Sequence, residues 1–122
     1  MIRYSTIAKS GPTNPRNDTA SVVELSNGEL LALWHKYEAT AAPGHDLARC
    51  RIHAKTSADQ GLAWGGERMI VDIAPGDLNV QAPAIARLPT GLAEVDDGRI
   101  FMSLRTQLGA VFLSSSVDGG DT

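Results

Sequence analysis

The chain is short of the residues that most often announce a function. Among 122 residues there is one cysteine, Cys50, and six aromatic side chains: two Trp, two Tyr and two Phe. A lone thiol makes no internal disulfide and no multi-cysteine zinc site. It lies in Arg49-Cys50-Arg51-Ile52-His53-Ala54, which alternates like a strand, so a small buried side chain is expected there. Basic residues form no block and no stripe interleaved with aromatics, which excludes the usual signature of a nucleic-acid partner. No apolar run approaches the ~20 residues of a membrane-spanning helix, so no membrane partner is expected either. The first residues, Met1-Ile2-Arg3-Tyr4-Ser5-Thr6, lack a basic stretch followed by an apolar one, and a cytoplasmic location is the expectation, with a secreted or periplasmic protein whose signal is absent from this fragment as the alternative. No glycine-rich loop opens a helix and no Gly-x-Ser-x-Gly elbow occurs, so phosphate binding and serine hydrolysis have no support.

What is present is β structure. Hydrophobic residues make up 43% of the chain, charged residues 20%, and the formal charge is −3, which suits a folded globular chain. Apolar residues recur with period two or in short runs, and no helical stripe is sustained. The pattern predicts strands over 21–25, 29–37, 47–56 and 68–73, then over 82–88, 99–105 and 110–115. Asn27-Gly28 and Asp97-Gly98 read as hairpin turns of the type I′ kind.

The pattern also repeats. Ser57-Ala58-Asp59-Gln60-Gly61 aligns with Ser116-Val117-Asp118-Gly119-Gly120 at an offset of 59 residues, and Leu25-Ser26-Asn27-Gly28 aligns with Leu88-Pro89-Thr90-Gly91 at an offset of 63. Gly28 and Ser57 are 29 residues apart, whereas their counterparts Gly98 and Ser116 are 18 apart, so the first unit carries 11 extra residues around Ala39 to Asp46. Long loops on compact repeats are where function concentrates. Antiparallel units of four strands in tandem are the pattern of propeller blades, which need neighbours to bury their faces. The expected fold class is therefore all-β. Residues 18–75 would form one blade and residues 80–122 a second, truncated blade of one partial domain. Two blades close no ring, so the chain is expected to be a fragment of a longer protein whose remaining blades are missing; a self-assembling partial propeller is the alternative.

Ser57, Asp59, Gly61 and Trp64 fit the pattern S-x-D-x-G-x-x-W. The Asp and Ser side chains can satisfy backbone N–H groups in their own turn, Gly61 accepts positive φ, and Trp64 supplies an apolar ring with one donor. Calcium binding at Asp59 or Asp118 is a weaker alternative, since the loops supply few carboxylates. The motif resembles the Asp-box, or bacterial neuraminidase repeat, with Ala63 where that family usually has Thr. The wider chain is similar to the predicted-sialidase branch of those proteins. The stretches that carry this are Arg16-Asn17-Asp18-Thr19-Ala20, Leu25 to Leu31, Asp46 ahead of the strand that ends in the motif, Asp77 to Pro83, and Ser103-Leu104-Arg105-Thr106.

That resemblance implies a sialidase-like six-bladed β-propeller and an exo-α-sialidase activity on a terminal sialic acid or a related acidic sugar. It implies no cofactor and no metal. Arg16 matches the first arginine of the carboxylate-binding cluster, although Pro15-Arg16-Asn17-Asp18 replaces the usual aromatic-Arg-Ile-Pro; a loop arginine paired with Asp18 is the alternative. Asp46 matches the catalytic acid/base, with His45 beside it to tune it or hold a hydroxyl. Asn79, Gln81 and Arg105 are candidate substrate-binding residues, with Arg105 alternatively paired to Asp96 or Asp97. The family's tyrosine nucleophile and its glutamate belong to later blades, and neither Tyr4 nor Tyr37 fits that role. The chain alone is thus expected to be inactive. His35, His45, His53 and Asp46 match no common zinc spacing. A non-catalytic propeller that binds glycans or proteins is the second functional expectation.

Overall fold

The computed structural model describes residues 1–39, 46–87, 99–106 and 111–118. Among these residues, seven strands form two antiparallel sheets. The first holds β1 (Arg16–Glu24), β2 (Leu30–Tyr37), β3 (Cys50–Ser57) and β4 (Gly65–Val71) in that order. The second holds β5 (Val80–Arg87), β6 (Ile100–Thr106) and β7 (Val111–Ser116), also in chain order. The all-β expectation holds, and each predicted strand is found with shifted ends. His45, the Asp97-Gly98 turn, Asp96 and the end of the second Ser-x-Asp motif lie outside the described residues.

The largest shift is at the start of β1, which begins at Arg16 rather than Ser21. Arg16, Asn17 and Asp18 read as loop because they are polar, yet they pair with Tyr37, Lys36 and His35 of β2. The ladder continues from Ser21 opposite Leu33, after a bulge at Thr19 and Ala20. Thr19 carries φ of 45° there. The second sheet repeats the device: β5 breaks register between Gln81 and Ala84, and Ala82 has φ of 53°. Such a bulge bends its strand and re-aims the side chains ahead of it.

The β1–β2 turn also differs from expectation. A type I′ turn needs two positive φ values, but in this turn only Gly28 has one, at 83°. Gly28 N–H donates to Leu25 O at 3.0 Å and Leu25 N–H to Glu29 O at 2.8 Å. This is the three-residue loop closed by a glycine bulge. Asn27 Oδ1 caps it by accepting from Glu29 N–H at 3.0 Å.

One core joins the sheets. Leu31 and Leu33 of β2, with Ile52 and Ala54 of β3, meet Val80, Ile100, Met102 and Leu104 of the second sheet. Val111, Phe112 and Leu113 of β7 stay exposed. At the far end of β3, Ser57 Oγ donates to Asp59 Oδ1 at 2.8 Å and accepts from Gly61 N–H at 2.8 Å, while Asp59 Oδ1 accepts from Ala63 N–H at 2.9 Å. Ser116 Oγ and Asp118 Oδ1 repeat the first of these bonds at 2.6 Å. Trp64 donates its indole N–H to Ser5 Oγ at 3.0 Å, so the N-terminal segment lies against this turn.

Candidate functional site

The opposite end of the first sheet, remote from the Ser57–Trp64 turn, gathers the charged candidates. Arg16 begins β1 directly across from Tyr37, which ends β2. Its guanidinium carbon sits 4.7 Å from the centre of the Tyr37 ring, within the range of a cation–π contact. Arg16 Nη1 donates to Asp46 Oδ1 at 2.7 Å, and Nη2 donates to Asp18 Oδ2. One planar fork thus holds two carboxylates, the use to which guanidinium is suited. The Arg16 guanidinium holds the Asp18 carboxyl below the usual carboxylate range, and the two carboxylates raise Arg16 further above its ordinary value.

Asp46 is positioned from behind. Its side chain is 76% exposed, so its carboxylate stands in solvent apart from Arg16. Its main-chain carbonyl, by contrast, accepts from Gln81 Nε2 at 2.8 Å and from Asn79 Nδ2 at 3.1 Å. Asn79 Nδ2 also reaches Ala48 O at 3.3 Å, and Gln81 Nε2 reaches the Tyr37 hydroxyl at 3.2 Å. Asn79 and Gln81 are buried, at 0% and 2% exposure. Both are expected as substrate contacts just before a strand; Asn79 does immediately precede β5 and Gln81 lies within it, with their amide donors turned onto protein groups. Arg105 lies on β6 opposite Gln81 and is exposed. Its charge is felt by His35, which sits opposite Asp18.

Two residues that were not among the site candidates, having been considered only for other roles, complete this end. Tyr37 is buried under Arg16, and burial, followed by the neighbouring Cys50, pushes its hydroxyl up to about 12. His35 is buried with neither ring nitrogen hydrogen-bonded, and burial holds its imidazole below its ordinary value. The signal for both was the two-residue alternation of β2, which puts Leu31, Leu33, His35 and Tyr37 on one face. Cys50 is buried as expected, with Sγ donating to Val80 O at 3.2 Å and its thiol pushed up to about 11 by burial.

His53 pairs with Trp34 whereas His35 pairs with Ile52. The two imidazoles therefore point to opposite faces of the sheet. Among the described residues no group of three or more His, Cys, Asp or Glu is gathered to hold a metal ion.

No protein-family model matches the chain, and no curated protein does. Among solved structures 18 chains match. One is the Hadza microbial sialidase Hz136, with a TM-score of 0.67 at 16% sequence identity, over 90% of this chain and 25% of that one. The chain therefore has a sialidase-like fold and spans about a quarter of the length of the sialidase it matches.

Proposed function

We propose that the chain contributes two blades of a six-bladed propeller and one side of a glycan site that binds a terminal sialic acid or a related acidic sugar for hydrolysis. The Arg16–Asp46 pair beside Tyr37 carries this reading. It joins a permanently charged carboxylate ligand to an exposed acid/base candidate, at the end of the sheets opposite the Asp-box turns. The exposed apolar side chains of β7 support the propeller, since a blade covers that face with the next one.

In this reading the sugar carboxylate takes the place of Asp46 on the Arg16 fork. Asp46, released from Arg16, takes up a proton from solvent and passes it to the leaving oxygen as the glycosidic C–O bond breaks. Further arginines and the tyrosine–glutamate pair come from blades outside this chain, in keeping with the tyrosine-nucleophile exception among glycosidases. Tyr37 is buried, hydrogen-bonded and raised in pKa, which suits support of Arg16 rather than nucleophilic attack. A second reading, a non-catalytic glycan-binding propeller, draws on the fact that Arg16 already holds two carboxylates while the Asp46 side chain remains in solvent.

The test has two arms. N-acetylneuraminate is titrated into the chain by NMR, with N-acetylglucosamine as the neutral control. Shifts at Arg16 and Asp46 with the acidic sugar alone support the site, and their absence refutes it. An aryl sialoside is then offered to the chain and to a longer protein that contains it. Hydrolysis is expected only from the longer protein and should fall by orders of magnitude in Asp46→Ala; unchanged turnover in that variant would sink the acid/base role of Asp46, and no hydrolysis by the longer protein leaves the binding reading.

A further inference from the structure

Asp46 has an exposed side chain on a carbonyl that is fully claimed by the other sheet. A carbonyl oxygen has two lone pairs, and here two amide donors, Gln81 Nε2 at 2.8 Å and Asn79 Nδ2 at 3.1 Å, converge on it. Both amides are buried, where an unpaired donor is costly. Asn79 also donates to the carbonyl two residues on, Ala48 O, at 3.3 Å, and Gln81 adds the Tyr37 hydroxyl at 3.2 Å. The bulge at Ala82 reorients β5 immediately after Gln81. An equivalent bulge at Thr19, 63 residues earlier, follows Asp18 on β1. The two first strands thus aim the residues ahead of matching bulges at one spot. One strand delivers Arg16 and Asp18, and the other delivers Asn79 and Gln81.

We propose that Asn79 and Gln81 are positioning residues: from the second sheet they pin the Asp46 main chain so that its carboxylate is presented to Arg16 on the first. The proposal rests on the reading of Arg16 and Asp46 as site residues. Its consequence is that the ion pair depends on how the sheets pack, because the strand carrying Arg16 and the strand holding Asp46 in place belong to different sheets. With Asp46 pinned at its carbonyl, rotation about its side-chain bonds is the freedom left to its carboxylate, enough to leave and regain the Arg16 fork.

The test reads the pairing without any sugar. In the unaltered chain, scalar couplings through the hydrogen bonds are expected from the Gln81 and Asn79 side-chain amides to the Asp46 carbonyl carbon; absence of both overturns the clamp. The Arg16 guanidinium ¹⁵N–¹H signals then report the ion pair, with Asp46→Asn as the reference for its loss. Gln81→Met and Asn79→Leu remove the donors at near-constant volume. In a folded variant the Arg16 Nη1 signal should shift toward its position in Asp46→Asn, and Gln81→Asn, which retracts the amide by one methylene, should give a smaller shift. A residue that merely stabilises the fold would lower the melting temperature and leave that signal in place, which would overturn the proposal. If the apolar variants do not fold, the couplings in the unaltered chain decide. Couplings present with no response to N-acetylneuraminate would sink the functional reading and leave the clamp standing.

Discussion

Replacing Arg16 by Met separates the electrostatic from the packing role of the cluster, because Met keeps much of the aliphatic stem and removes the fork. Among the described residues the guanidinium makes two ion pairs and a cation–π contact. The side chains of the pairs are 32% and 37% exposed for Arg16–Asp18 and 32% and 76% for Arg16–Asp46. Each pair is therefore discounted for solvent screening to about 0.2–1 kcal/mol, and the contact with Tyr37 adds about 0.5–1 kcal/mol. Arg16→Met should cost about 1–3 kcal/mol at neutral pH, read as a fall of roughly 4–12 °C in melting temperature by circular dichroism. The pH dependence follows from Asp18. Its folded-state pKa is lowered below the 3.8 of a free aspartate, chiefly by the hydrogen bond from Arg16. A lowered carboxylate stabilises the fold above the unfolded value, and that stability is lost as pH falls through the folded value. The gap between wild type and Arg16→Met should therefore be full at pH 7 and shrink below pH ~3.8. The Tyr37 contact survives there because arginine stays charged. Asp18→Asn should reproduce the acid-sensitive part. A gap that is the same at pH 7 and in acid would refute this account of the cluster.

Gly61 sits at φ of 84° in the Ser57–Trp64 turn, and a Cβ there would lie 3.5 Å from the Trp64 ring, an ordinary contact. Gly61→Ala should thus cost only the left-handed backbone term, about 1–2 kcal/mol, while Gly65→Ala, with open space around it, should leave the thermal midpoint close to wild type; equal losses would show that conformation is not the cause. His35 titrates the other way from a paired histidine. Burial places its folded pKa below the 6.5 of a free imidazole, so the unfolded chain binds the proton first and stability falls as pH drops through that value. Urea midpoints of His35→Phe should fall less between pH 7 and pH 5 than those of wild type, and equal falls would count against a buried neutral imidazole.

What was legible in the sequence divides by how far apart the interacting groups lie. The Ser57–Trp64 turn is built from contacts spanning two to four residues, Ser57 to Asp59 and Gly61, and Asp59 to Ala63. Residue type and spacing are enough to specify such contacts, and the same spacing exposed the repeat. The strands of the core were legible for a similar reason: alternation at Leu31, Leu33, Ile52 and Ala54 needs only the pleat to sort inside from outside. The ends of strands were not. Arg16 to Asp18 belong to β1 because β2 offers Tyr37, Lys36 and His35 as partners, and context of that kind overrides local polarity.

The site was half legible for the same reason. Arg16 and Asp46 were candidates by position, but their contact, which spans 30 residues, was not readable. The roles of Asn79 and Gln81 depend on a carbonyl 33 and 35 residues away. An amide at the head of a strand offers the same donors to a sugar hydroxyl as to a backbone carbonyl. Burial decides between them: at 0% and 2% exposure the donors face protein, and among the described residues here it is the Asp46 carboxylate that stands in solvent. The solvent-facing part of this end is therefore more charged than its sequence suggests, and the neutral amides lie one layer behind it.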